Sequence, residues 1–424
     1  MAAEEMEQTD VLARKGYYDQ MTNTFEDLHE KRDLVEREIN ELYEEREQIE
    51  NRFKECAVEM DESDLRKQEA KTEKRATEKI LRQLEAGGPG ARAALRKLQL
   101  GKMRLEDRMA SVREAFRASA LSEAAPVIGQ EVEAYDFEMP SSDGSESLLV
   151  RSYSQSSSTS SSAIVFFHGE GYAKGDVDTH DWLCRSLASL SGSHVVSIAY
   201  RLAPEVRFPV PLEDAYAGLC WVAEGGLGWT PSSVGVAGDC SGGGLAVACC
   251  LKARDEQGPN VAVQILFYPW LDVRPISESM LNCNEADAAH AALQEDLEFC
   301  SDIYAPPMTA AEAARAAEED DDEEDPGVEV RDWMKDWRAS PLLADSYDGM
   351  PRTFVAYALD DLCAPDSARY LERLRAENGA ESVHPLALQG PLGHGFAKHG
   401  DRPQAYAAVA AAAAFASGHL GANR

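Results

Sequence analysis

The sequence predicts an α/β domain, a mostly parallel central sheet with helices on both faces, preceded by an all-α coiled-coil segment. Three observations carry that prediction. Residues 1–120 contain a single proline, Pro89, and no alternating apolar pattern, whereas short apolar runs alternate with helical stretches from about residue 128 onward. Within the first part a 4-3 apolar spacing persists over almost six heptads. At 424 residues the chain is long enough for one large domain and a second, separate element.

The heptad seam occupies residues 21–60. Met21, Leu28, Val35, Leu42, Ile49 and Cys56 stand at one position and Phe25, Arg32, Ile39, Arg46, Phe53 and Met60 at the other, so ten of twelve seam residues are apolar. The other faces are mostly Glu, Lys and Arg, and such a helix buries its seam only against another helix. The register weakens from Asp61 to Ala86, and Gly87-Gly88-Pro89-Gly90 stops the helix. A second run, Leu95, Leu98, Lys102, Leu105, Met109, Val112 and Phe116, is expected to fold back antiparallel on the end of the first. Residues 1–121 therefore read as a helical region with a turn at 87–90. The returning helix is too short to cover Met21 to Met60, which predicts a homo-oligomer or a protein partner through the coiled coil.

Residues 122–424 read as the α/β domain. Strands are expected at Glu131–Glu138, Ser147–Tyr153, Ala163–His168, His194–Tyr200, Val234–Gly238, Val261–Tyr268, Arg352–Ala358 and Val383–Leu388. Helices are expected at Thr179–Leu190, Leu212–Ala223, Ser241–Arg254, Asp366–Asn378 and Arg402–Ser417, and this alternation implies parallel pairing with both faces covered. The Ser/Thr-rich stretch Ser154–Ser162 reads as a mobile surface loop. An insertion, 274–337, separates the sixth and seventh strands and suits a lid or a pocket wall; it contains eight consecutive acids, 318–325, which self-repel. Trp333 and Trp337 within it could line an acyl pocket or pack a lid helix.

Charge narrows the function. With 42 Lys+Arg against 75 Asp+Glu the net charge is -33, which repels phosphate backbones and excludes nucleic acid as a natural partner. No apolar run approaches the length of a membrane span. The N-terminus lacks a basic start and an apolar core, so a cytoplasmic location is expected. The nine cysteines are scattered without CxxC or Cys/His spacing, which argues for reduced thiols, no metal and no cofactor.

The chemistry concentrates at Val234-Gly235-Val236-Ala237-Gly238-Asp239-Cys240-Ser241-Gly242-Gly243, an apolar strand running through a small-residue turn into a helix. That is the setting of a G-x-S-x-G nucleophile elbow, with Cys240 where the serine stands. Ser241 is not a substitute, because Asp239 rather than glycine lies two positions before it. Asp360 and Asp361 follow at a strand end and His394 follows the last strand, the Ser-acid-His order of this motif.

At this point the sequence resembles the hormone-sensitive-lipase-like branch of the α/β-hydrolases. The matching stretches are collinear: Phe167-His168-Gly169-Glu170-Gly171-Tyr172, Tyr200-Arg201-Leu202-Ala203-Pro204-Glu205, Phe208-Pro209-Val210-Pro211, Gly238-Asp239-Cys240-Ser241-Gly242-Gly243, Tyr268-Pro269-Trp270, Ala339-Ser340-Pro341-Leu342 and His394-Gly395-Phe396. The resemblance implies an α/β-hydrolase fold acting on small carboxylic esters or thioesters. It also implies an oxyanion hole from the backbone N–H groups of Glu170, Gly171 and Ser241, with His168 supporting that loop.

Three departures bear on activity. Glu170 replaces a family glycine and brings a carboxylate beside the developing oxyanion. Either Asp360 or Asp361 could orient His394, and Asp360 is preferred because Leu362 then matches the family's apolar residue. Cys240 is the third. A thiol beside a histidine is a strong nucleophile, and dienelactone hydrolases elsewhere in the superfamily use a cysteine elbow. The expectation is a Cys240–His394–Asp360 triad; the alternative is a weakened, ligand-binding or scaffold protein on a hydrolase fold.

Overall fold

The computed structural model describes residues 105–122, 131–156, 158–275, 277–281, 288–307, 330–398, 400 and 402–420. The coiled-coil seam at 21–60, the turn at 87–90 and the acidic run at 318–325 lie outside the described residues.

All eight expected strands form: β1 Val132–Pro140, β2 Ser147–Gln155, β3 Ser162–Phe167, β4 His194–Ile198, β5 Ser233–Asp239, β6 Val261–Phe267, β7 Arg352–Ala358 and β8 Val383–Leu388. They make one sheet in the order β1-β2-β4-β3-β5-β6-β7-β8. β1 pairs antiparallel with β2, and β2 with β4; every later pairing is parallel. The residues explain this division. All six residues of β3 are buried, as both-face cover requires, whereas β1 at the edge buries only Val132 and Met139 and exposes Tyr135.

The helices are α1 Leu105–Ser122, α2 Asp181–Ser191, α3 Val210–Ala223, α4 Cys240–Asp255, α5 Glu278–Leu281, α6 Ala288–Tyr304, α7 Ala364–Asn378 and α8 Pro403–Leu420. α8 is half alanine, and the small side chains of Ala405, Ala408 and Ala412 are buried. No helix among the described residues is long and apolar enough to cross a membrane.

Two local expectations change. The described part of the returning helix, α1, packs on the α/β body. Met109 and Val112 join its core, and Arg113 bonds the carbonyls of Ala173 (2.7 Å) and Ala203 (2.5 Å) and both carboxylate oxygens of Glu205. The apolar 3-4 stripe has the same pattern whichever surface it meets, so periodicity could not tell the two apart. The serine-rich stretch is also more anchored than expected. Ser154 and Gln155 belong to β2, Gln155 Nε2 donates to Ser189 O (2.5 Å), and Ser158 Oγ donates to Gly192 O (2.9 Å), tying the turn to the end of α2.

β3 lies between β4 and β5, so the chain leaves β3 and β5 toward opposite faces of the sheet. The crevice at the carboxyl ends of such a pair is where open α/β sheets place their sites. Here it receives the loop from Phe167 and the turn from Asp239, which end adjacent strands in register (Phe167 opposite Gly238).

Candidate active site

The strand-to-helix turn at the end of β5 is sharp, and its glycines are there for clearance. A Cβ on Gly238 would lie 2.2 Å from Gly242 O, and one on Gly242 would lie 2.0 Å from Phe167 O. Cys240 stands between them at φ +48°, a left-handed value that non-glycine residues seldom adopt, and it is 5% exposed. Strain at this position matches the elbow geometry expected from the sequence. Ser241 is buried, and its Oγ accepts the Tyr172 N–H at 3.2 Å.

The loop after β3 carries three consecutive residues at positive φ: Glu170 (+84°), Gly171 (+67°) and Tyr172 (+62°). Three such residues in a row fold the loop sharply back on itself after β3. Among the described residues, the Glu170 and Gly171 N–H groups make no backbone hydrogen bond elsewhere. Asp239 fixes the loop from below, accepting the Gly169 N–H at 2.8 Å, with His180 Nε2 3.2 Å from the same oxygen. Burial opposes the charge on His180, but Asp239 outweighs it and raises the ring above the ordinary histidine value. His168 stacks on Tyr200 at 4.4 Å between centroids, and burial pushes its pKa down to about 4, so it supports the loop as a neutral ring.

His394 follows β8 between Gly393 (φ +64°) and Gly395 (φ +81°), which allow the tight turn. Its Nδ1 lies 3.0 and 2.9 Å from the two oxygens of Asp361, whose side chain is fully buried. The acid expected on its apolar neighbour, Asp360, is therefore not the one that holds the ring. Asp360 is exposed, accepts the Gly393 N–H at 3.3 Å, and offers its carbonyl to His290. β7 ends at Ala358 and Asp361 N bonds back to Ala358 O (3.2 Å), a turn that sends residue 361 inward and residue 360 out. Two adjacent acids gave sequence reasoning no spacing with which to choose.

His394 Nε2 is buried and has no hydrogen-bond partner. Desolvation opposes the imidazolium, but the Asp361 carboxylate outweighs it and holds the ring well above the ordinary histidine value. Cys363 was not anticipated. It donates its backbone N–H to Asp361 Oδ1 (2.9 Å), and burial raises its thiol far above the usual range. Donor atoms of Asp361, Cys363 and His394 lie within 4.8 Å of one another and could together face a soft cation. Both Asp361 oxygens and His394 Nδ1 are already engaged with each other, and the thiol resists ionisation, so the set suits a hydrogen-bonded pair better than a metal.

Beyond the donor loop a cluster of aromatic rings packs together. Tyr172 stacks on Tyr304 of α6 (4.1 Å), and Trp333 meets Tyr304 (5.8 Å) and Phe208 (5.6 Å). The insertion thus supplies part of the cluster, and Trp333 belongs to it. Trp337 instead lines a cavity of about 750 Å³ with Lys252, Arg338 and Asp345, which includes none of the expected site residues. The Glu170 carboxylate, expected to face the oxyanion alone, is ion-paired with Lys398. Sequence reasoning missed this partner because the two lie 228 positions apart.

A nucleophile elbow, a left-handed donor loop and a buried His–Asp pair, all at the carboxyl ends of parallel strands, are the working parts of an α/β-hydrolase. The α/β-hydrolase fold family matches residues 164–397. The chain is 33% identical to the carboxylic ester hydrolase LipN of Mycobacterium tuberculosis over 292 residues, 65% of this chain and 68% of LipN. Esterase LipI of the same organism is 45% identical over 108 residues, 25% of this chain and 34% of LipI. Among solved structures, the thermostable carboxylesterase EstE1 from a metagenomic library superimposes with a TM-score of 0.60 at 28% identity, covering 74% of this chain and 97% of EstE1. An esterase from Pyrobaculum calidifontis gives a TM-score of 0.60 at 27% identity, covering 78% and 98%. The chain belongs to the α/β-hydrolase fold family, in its hormone-sensitive-lipase-like branch.

Proposed function

We propose that the protein hydrolyses small carboxylic esters or thioesters through a Cys240–His394–Asp361 triad. The observation that carries the reading is His394, held through Nδ1 by a buried carboxylate while its Nε2 is buried without a hydrogen-bond partner. In this mechanism His394 Nε2 takes the thiol proton and the sulfur attacks the carbonyl carbon. The oxyanion is received by the N–H groups of Glu170, Gly171 and Ser241. Collapse expels the alkoxide or thiolate, which takes the proton from His394 and leaves a thioester on Cys240. Water, deprotonated by His394, then attacks the thioester; the acid departs and the sulfur is restored. An imidazole held above its ordinary pKa suits this chemistry, because it keeps the proton while sulfur acts as an anion.

Turnover of p-nitrophenyl acetate and butyrate by the wild type, Cys240→Ala and Cys240→Ser tests the proposal. Loss of turnover with alanine is the expected result. Equal rates for wild type and Cys240→Ala would sink it, and activity confined to Cys240→Ser would mean a preserved pocket that has lost its nucleophile.

A further inference from the structure

The family position filled by Glu170 normally holds glycine, and this chain places there a residue unsuited on two counts. Its backbone must adopt φ +84°, and its carboxylate stands in the loop whose N–H groups receive negative charge. The second difficulty has a structural answer. Lys398, in the short turn Phe396–Lys398 that follows His394, is ion-paired to Glu170 Oε1, with side chains 19% and 13% exposed. Glycines flank both partners: Gly175 packs where a Cβ would lie 2.8 Å from His168 Nδ1 and 2.9 Å from Gly169 O, within the Glu170 loop, and Gly395 stands beside the Lys398 side chain. Phe116 of α1 covers the lysine, with its ring centroid 5.5 Å from Nζ. The neighbouring cation, Lys174, is engaged by Asp296 (2.8 Å) and does not serve Glu170.

We propose that Lys398 is a positioning residue whose task is to neutralise Glu170 and to tie the oxyanion loop to the loop carrying His394. Glu170 and Lys398 then form one unit that spans the two halves of the catalytic apparatus, the donors on one side and the base on the other. This rests on the esterase reading above. Without Lys398 the carboxylate is left half-buried beside the developing oxyanion, where it opposes the same charge that the N–H groups stabilise. The unit predicts that the effect of removing Lys398 depends on the residue at position 170.

The test measures kcat and KM for p-nitrophenyl acetate in the wild type, Lys398→Ala, Lys398→Arg, Glu170→Gly and the double variant Glu170→Gly/Lys398→Ala. Lys398→Ala is expected to lower kcat by about ten- to a hundredfold with KM changed only a few-fold, and Lys398→Arg to recover most of that loss. In the Glu170→Gly background, removing Lys398 should change kcat by less than about threefold. An equal loss in both backgrounds, or no loss in either, would overturn the proposal. A second readout does not need turnover: the ratio of Cys240 alkylation rates with anionic iodoacetate and neutral iodoacetamide, followed by peptide mass mapping. Lys398→Ala should lower that ratio about fivefold or more, and the double variant should restore it. If the wild type shows no Cys240-dependent hydrolysis, the esterase reading fails while this ratio still decides the pairing, and a ratio unmoved by Lys398→Ala refutes it.

Discussion

Replacing Asp361 by asparagine, with Asp360→Asn as its twin, discriminates between two adjacent carboxylates that the sequence left interchangeable. Asp361 contacts Nδ1 of His394 with both oxygens, at 3.0 and 2.9 Å, from a fully buried position. Replacing a triad carboxylate by its amide leaves the imidazole in the wrong tautomer and costs up to about 5 kcal/mol of transition-state stabilisation. At about 1.4 kcal/mol per tenfold, kcat/KM should fall on the order of 10² to 10⁴-fold. Asp360 is exposed and accepts one N–H, from Gly393 at 3.3 Å. Its loss should cost about 1 kcal/mol at most, less than about tenfold. The assay is steady-state hydrolysis of p-nitrophenyl acetate across pH, with circular dichroism to show that both variants fold. The pH profile adds a second discriminator. After desolvation, which acts in the other direction, Asp361 is the foremost influence on the His394 pKa and raises it. The alkaline limb of kcat/KM, where the imidazolium loses its proton, should therefore move to lower pH in Asp361→Asn and stay in place in Asp360→Asn. Comparable losses in both variants, or an unmoved alkaline limb in Asp361→Asn, would refute the assignment.

Three further outcomes are expected. Gly242→Ala drives a Cβ to 2.0 Å from Phe167 O and 2.5 Å from His168 O, backbone atoms that cannot rotate away, so urea unfolding should show a loss of about 3 kcal/mol; Gly418→Ala in α8, with open space around it, should be neutral or stabilising by up to about 1 kcal/mol. His168 is buried and depressed to about 4 against an unfolded value of 6.5, so the folded state binds fewer protons and its stability falls as pH drops from 6.5 toward 4. The fall should be about 2 kcal/mol at pH 5, and urea midpoints at pH 7 and pH 5 should differ less in His168→Phe than in the wild type. The heptad seam at 21–60 predicts self-association: light scattering should give a dimer for the full chain and a monomer for a chain starting at Ala91, and a monomeric full chain at micromolar concentration would refute it.

The strands were legible because burial on both faces leaves a chemical trace. β3 and β5 are near-continuous apolar runs, and β7 and β8 form over the residues their apolar content marks. What local pattern does not encode is partnership. The antiparallel attachment of β2 to β4 depends on which edge is free, and the seat of α1 depends on the carbonyls of Ala173 and Ala203 that Arg113 reaches across the fold. The same division runs through the site. Cys240, Glu170, Gly171, Ser241 and His394 were visible because each sits in a motif whose spacing has a steric reason, such as the glycines on either side of the elbow. The choice of Asp361 over Asp360 and the places of Cys363 and Lys398 were not, because orientation at a strand end and pairing over long sequence separations are settled by tertiary geometry.

That geometry also bears on whether Cys240 marks a site that has lapsed. A pocket released from hydrolysis has no need to keep a buried imidazole bound to a buried carboxylate, since an unused buried ion pair is often no more stable than apolar residues of similar volume. His394 and Asp361 keep that arrangement, and Nε2 keeps an unpartnered position inside the protein. Three residues of the donor loop keep left-handed backbones, one of them a glutamate for which that conformation is unfavourable, and its charge is matched by a lysine on the histidine loop. Cys300 of α6 fits against Gly171 so closely that a Cβ there would meet its sulfur at 2.3 Å, which fixes the donor loop from the insertion side as well. These constraints come from four separate elements and converge on the place where an oxyanion would form. They are the surroundings that the nucleophile proposed above requires, and the Cys240→Ala and Cys240→Ser comparison decides whether sulfur uses them.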